Sequence, residues 1–135
     1  MSPQDDGDPC TVVTMPFEAA SARQARHLMT EELASEYPTE TIADAGLVLT
    51  ELLTNALKHG RPSPLHEVEV GWCLFEDSVR ICVSDAGTST SFGLTHVESD
   101  SESGRGLAIV DALSESWGLE LAEGRTRVVA NIAFA

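Results

Sequence analysis

Three clusters of residues in this chain have types and spacings that could do chemistry. The first is Glu51-Leu-Leu-Thr-Asn55-Ala-Leu-Lys58-His59-Gly60. On a helix, positions three and four apart are neighbours, so Glu51, Asn55 and Lys58 share a narrow stripe. A carboxylate, a carboxamide and an ammonium then project together from an otherwise apolar segment. That set offers an acid or base, a hard oxygen ligand and a cation for phosphate; the same spacing also fits a solvated helix face. The second cluster is Val83-Ser84-Asp85-Ala86-Gly87. A carboxylate leaving a strand can accept from an exocyclic amine, and a glycine after it lets the backbone approach a flat ring. An ordinary turn has the same pattern. The third is Ser103-Gly104-Arg105-Gly106-Leu107. Glycines opening a helix expose N–H groups where the helix dipole favours an anion. A plain helix-start turn fits too. No strand directly precedes it, so it is no Rossmann fingerprint, and it lacks the Gly-Lys-Ser/Thr of a P-loop.

These clusters need elements to hold them. Thr11 to Phe17 is a short β-prone run, expected at a sheet edge because Pro16 cannot donate to a ladder. Ser21 precedes a helical stretch to about Glu36, with Ala25, Leu28, Met29 and Leu33 at helical spacing and Tyr37-Pro38 as its stop. Thr39 is placed to cap a second helix from Glu40 to about His59. Its apolar face is Ile42, Ala45, Gly46, Leu49, Leu52, Leu53 and Ala56, and Gly60 ends it. Val68, Val70, Trp72 and Leu74 alternate, as do Val79, Ile81 and Val83, with Glu76-Asp77-Ser78 between them, so a hairpin is expected. Matching the apolar faces pairs Leu74 with Ile81, Trp72 with Val83 and Cys73 with Cys82. Residues 85–103 form a Ser-, Thr-, Gly- and acid-rich loop long enough to serve as a lid. A third helix runs from Leu107 to about Ser114. Strands near 117–122 and 127–134 close the chain around a Glu123-Gly124 turn. The order βααββαββ predicts an α+β two-layer sandwich: a mixed, mostly antiparallel sheet with three helices on one face.

Composition narrows the options. The 135 residues suit one domain, read here as an acidic disordered tail at 1–10 and a folded unit at 11–135. Lys plus Arg is 8 and Asp plus Glu is 22, a net charge of −14. Such acidity argues against direct nucleic-acid binding, which needs cations to displace counterions, and against an anionic membrane surface. A local phosphate site is still compatible, because backbone N–H groups bind anions regardless of net charge. No apolar run approaches the roughly 20 residues of a membrane span. The start MSPQDDGDPC has no signal-peptide character. Three cysteines without a Cys-x-x-Cys pair predict reduced thiols and a cytoplasmic setting. Four His without metal-site spacing add no case for a metal centre.

Taken in order, the three clusters resemble the N-box, G1 box and G2 box of the Bergerat (GHKL) ATP-binding family, over about residues 17–134. ELLTNALKHG is the most specific piece. Within the family the chain is most similar to the stand-alone anti-sigma-factor serine/threonine kinases of the SpoIIAB/RsbW type. The domain reads as standing alone, GRGLAIVDAL opens the third helix, and Trp117-Gly118 begins the next strand. The resemblance implies ATP and Mg2+ as ligands. It makes Asn55 the Mg2+ ligand, a role an amide oxygen suits, and Glu51 the general base. Lys58 and His59 fall near the phosphates. Asp85 would receive the adenine amine, with Gly87 beside the ring. Gly104, Arg105, Gly106 and Leu107 form the phosphate-binding end of the lid, and Thr126 bonds the adenine or its water. The chain departs from the family pattern at Thr88-Ser89, where a second glycine is usual, at a missing proline nearby, and at Arg125, where lysine is usual.

The resemblance supports a Mg2+- and ATP-dependent kinase acting on a serine or threonine of an anti-anti-sigma (antagonist) protein. The alternative is a binding module that sequesters a sigma factor or another regulator without kinase activity, its negative charge complementing a basic partner. A dimer-gated ATP hydrolase is disfavoured, because no transducer domain is seen. Homodimerisation is a family expectation.

Overall fold

The computed structural model describes residues 9–86, 101–122 and 125–134, without the side chains of 101–106 and 122. The elements are β1 (Cys10–Pro16), α1 (Ala20–Leu33), α2 (Thr39–His59), β2 (Glu67–Leu74), β3 (Ser78–Asp85), α3 (Ser101–Leu113), β4 (Ser116–Ala122) and β5 (Arg125–Ala133). This is the expected order. The strands form one open sheet in the order β1-β2-β3-β5-β4. Every pairing among the described residues is antiparallel, where a partly mixed sheet is expected from the element order. β1 lies at an edge, where Pro16 costs no ladder bond that a central strand would need.

Strand alternation sends one side chain in two to each face. Val68, Val70, Trp72, Val79, Ile81, Val83, Val128, Ala130 and Ile132 are buried together beneath the helices. α2 supplies Ala45, Val48, Leu49, Leu52, Leu53 and Ala56 to the same core, and α1 supplies Ala25, Met29 and Leu33. Leu28, expected on that stripe, is instead 43% exposed at its flank. Trp72 fills the space below α1 and donates its indole N–H to Glu32 Oε1 at 2.8 Å. The Thr11 hydroxyl reaches the same carboxylate, so one residue of α1 links β1 and β2.

Three local expectations change. Thr39 is the first residue of α2, and Pro38 takes the N-cap position without a side-chain cap. The β2–β3 hairpin is tighter than apolar matching suggests, because the Phe75 N–H bonds to the Ser78 carbonyl at 2.9 Å and leaves only two residues in the turn. The register therefore shifts by two: Leu74 faces Val79, Trp72 faces Ile81, Cys73 faces Arg80, and Cys82 faces Gly71. The cysteine expectation also fails. Cys10 lies opposite Cys73 across the β1–β2 ladder, and the two form a disulfide. The neighbouring Leu74 N–H to Pro9 carbonyl bond makes Cys10–Cys73 the non-hydrogen-bonded kind of pair, in which side chains lie closest. Cys82 is a free thiol.

Candidate functional site

The candidate residues gather where the end of β3, the start of β5 and the C-terminal end of α2 meet. Asp85 is the last residue of β3 and pairs directly with Thr126 of β5. Both belong to the helix-covered side of the sheet and both are buried, at 4% and 1% exposure. Polar side chains at the rim of a packed apolar face are costly unless partnered. Asp85 accepts the Arg61 backbone N–H on Oδ1 at 3.2 Å, and the Ala86 N–H returns a bond to the Arg61 carbonyl at 2.9 Å. Gly60 closes α2 with its N–H on the Ala56 carbonyl at 2.7 Å. The segment leaving α2 is thus laced to the end of β3.

α2 carries the remaining candidates of the first cluster. Asn55 is buried at 6% exposure, Glu51 and His59 are partly buried, and Lys58 is exposed. A merely solvated face would leave Asn55 in water, so that reading fails for the residue at the centre of the stripe. Lys58, His59, Asp85 and Thr126 each make further interactions. Leu107 packs at 2% exposure on α3. α3 starts at Ser101, so Gly104, Arg105 and Gly106 lie within its first two turns, where the sequence reading had them open the helix. Of the lid loop expected over 85–103, Asp85 belongs to β3 and 101–103 to α3, while residues 87–100, Gly87 among them, lie outside the described residues, as do Glu123 and Gly124.

Gly60 and Arg61 had no assigned part in the site. A glycine at a helix end is so common that spacing alone gives it no further meaning. No group of three His, Cys, Asp or Glu among the described residues could hold a metal by itself. An ion held by one amide oxygen, water and phosphate needs no such cluster. The Asn55 amide oxygen is a hard donor of the kind that fits Mg2+, with Glu51 one helical turn away left for proton chemistry. A cavity of about 640 Å3 lies elsewhere, on the open face of the sheet among Cys73, Arg80, Cys82 and Arg127.

Residues 15–132 match the model of the histidine kinase-like ATPase domain. The chain belongs to this family. Among solved structures, the histidine kinase-like ATPase domain described here superposes on the RsbU and RsbW domains of Rv1364c from Mycobacterium tuberculosis with a TM-score of 0.70 and 23% identity. That match covers 93% of this chain and 32% of the other, so the chain spans about a third of that protein's structure. It also superposes on the histidine kinase domain of the EL346 blue-light activated histidine kinase from Erythrobacter litoralis, with a TM-score of 0.54 and 20% identity over 87% and 61% of the two chains. These likenesses show a shared fold. No curated protein matches significantly. An ATPase domain implies ATP binding, and the family is kinase-like. No helix among the described residues is long and apolar enough to cross a membrane.

Proposed function

We propose that this domain binds Mg2+ and ATP and transfers the γ-phosphoryl group to a serine or threonine of an anti-anti-sigma protein. One observation carries the reading: Asp85 and Thr126 are buried side by side at the sheet's rim, and the Asp85 carboxylate is bound by the chain leaving the helix that bears Glu51 and Asn55. A buried acceptor at the rim of the helix-covered face suits an exocyclic amine. The likeness to a structure containing an RsbW domain supports the anti-sigma branch.

Each residue then has a physical task. Asp85 accepts the adenine amine, and Thr126 bonds the ring or its water. Asn55 holds Mg2+ through its amide oxygen; the ion, when bound, neutralises phosphate charge. Lys58 and His59 are assigned to the phosphate side together with the Gly104–Leu107 segment, although the free N–H groups of α3 belong to the turn that starts at Ser101, ahead of that segment. Glu51 accepts the proton of the attacking hydroxyl. Phosphoryl transfer asks the protein mainly for positioning and charge neutralisation, and this set supplies both. A cytoplasmic setting, where ATP is supplied, is the location proposed even though the Cys10–Cys73 disulfide removes the argument from reduced thiols, and a homodimer is the assembly proposed from the family. A second reading, capture of a sigma factor without transfer, is favoured by the Thr88-Ser89 departure and the −14 charge.

The deciding experiment pairs a melting-temperature measurement with transfer of labelled γ-phosphate to candidate antagonist proteins. At 100 times its dissociation constant a ligand adds about 2.7 kcal/mol of stability, a shift of several degrees. Asn55→Ala should abolish the Mg2+-dependent shift. Glu51→Ala should keep the shift and lose transfer. A shift without transfer in the native protein would favour the binding module, and no shift at millimolar ATP would refute the ATP-dependent reading.

A further inference from the structure

Gly60 is not explained by backbone conformation. Its φ of −88° and ψ of −167° are extended values that any residue adopts. Space explains it. A Cβ built on Gly60 would lie 2.5 Å from both Cγ and Oδ2 of Asp85, and 2.7 Å from the Ala56 carbonyl oxygen. Two of these three atoms belong to one buried carboxylate, and the third is main chain, so neither side can yield cheaply. The Asp85 carboxylate therefore rests against the bare Cα of Gly60. Its other oxygen, Oδ1, is fixed by the Arg61 N–H at 3.2 Å, and the Arg61 carbonyl is tied in turn to the Ala86 N–H. Steric contact on one side and a hydrogen bond on the other leave the carboxylate little freedom to turn.

We infer that Gly60 and the backbone N–H of Arg61 are positioning groups that set the orientation of the Asp85 carboxylate, and through it the preference for a 6-amino over a 6-oxo purine. This rests on the proposed reading of Asp85 as the acceptor of the adenine amine. A 6-amino group donates to a carboxylate, whereas a 6-oxo group presents a second acceptor and leaves the buried carboxylate facing a like partner. Sites built to hydrogen-bond one group reject its mismatch strongly, but only while the buried partner stays aligned. A methyl group at position 60 would push the carboxylate out of line. Loss of the Arg61 N–H would release it.

The test measures dissociation constants of ATP and inosine triphosphate, both with Mg2+, by calorimetry on the full chain. The variants are Gly60→Ala, Arg61→Pro and Asp85→Asn, with circular dichroism to verify folding. Arg61→Pro removes the backbone N–H that Asp85 Oδ1 accepts and keeps the carbonyl, so it decides the matter if Gly60→Ala does not fold. The native protein should prefer ATP at least tenfold, and Asp85→Asn should erase that preference. Gly60→Ala and Arg61→Pro should each lower the ATP-to-inosine ratio about tenfold, acting on ATP and sparing the weaker nucleotide. If either folded variant loses affinity for both nucleotides equally, or keeps the native ratio, the positioning role is overturned while the reading of Asp85 stands. If the native protein shows no preference, or Asp85→Asn retains it, that reading falls and takes this inference with it.

Discussion

The two faces of the sheet are built on different principles. Beneath the helices, the face is continuous aliphatic packing around Trp72, and the inward side chains of the central strands β3 and β5, with Val68, Val70 and Trp72 of β2, are buried. On the open face, the register places Val12, Gly71, Cys82, Val129 and Gly118 in one row across all five strands. A row of Cys10, Cys73, Arg80, Asn131 and Ser116 runs along one side of it. Thr14, Glu69, Ser84, Arg127 and Glu120 run along the other. That face is held by short-range pairings: Arg125 with Glu69 at 3.2 Å, Arg127 with Glu120 at 3.8 Å, and Arg80 to Asn131 Oδ1 at 3.1 Å. Exposed ion pairs stabilise little, typically under about 1 kcal/mol. The comparison teaches that the covered face holds the fold, and that its rim, where Asp85 and Thr126 sit, inherits that rigidity. The open face depends on a covalent bond where packing is thin.

The contrast should first show itself in Trp72→Ala. The change removes the largest fully buried side chain among the described residues, together with its hydrogen bond to Glu32. A loss of about 4 kcal/mol is expected in urea unfolding, within the range of aromatic truncations. A loss under about 1 kcal/mol would deny that the covered face dominates.

Next in size is the disulfide. β1 buries only Met15 fully, and Val12 is 60% exposed, so little apolar packing holds the start of this edge strand. Cys10 and Cys73 are 63 residues apart in sequence, and closing a loop of that length restricts the unfolded chain by about 4 kcal/mol on the chain-entropy model. Engineered and native bonds often deliver less, so about 3 kcal/mol is the expected loss on double replacement by serine. Nucleotide affinity should be unchanged, because the bond lies on the face away from Asp85. Altered affinity would mean that the two faces are coupled.

What was legible in the sequence follows from the range of each interaction. The order of elements and the α2 stripe rest on contacts within a few residues, and apolar periodicity records those. The hairpin register depended on two turn residues, Glu76 and Asp77, and apolar matching alone cannot distinguish shifts of two because both keep each face intact. The disulfide required β1 to pair with β2 across α1 and α2, and no local pattern encodes that. The meeting of Asp85 with Thr126 likewise needs β5 inserted between β3 and β4. α3 starts three residues before Gly104, because glycines can lie inside a helix as well as bound it, and spacing alone does not separate the two cases. Gly60 has the sequence context of a plain helix stop, and its neighbour in space lies 25 residues along the chain, beyond the reach of any local pattern.

The smallest effect expected is at Cys82, the centre of the open face's apolar row. Burial pushes its thiol pKa up, and Glu69 and Glu120 push the same way, while Arg127 and Arg80 oppose them. A raised pKa means less thiolate at any pH below it, so alkylation by iodoacetamide at pH 8 should run several-fold slower than for an unstructured cysteine peptide, and should accelerate as the pH climbs. Cys82→Ala should cost no more than about 1 kcal/mol, since the side chain is only partly buried and faces Gly71. Rapid labelling at neutral pH would show that this row is open to water. A loss rivalling that of Trp72→Ala would show instead that the face carries a packed core of its own, and the contrast between the two sides of the sheet would collapse.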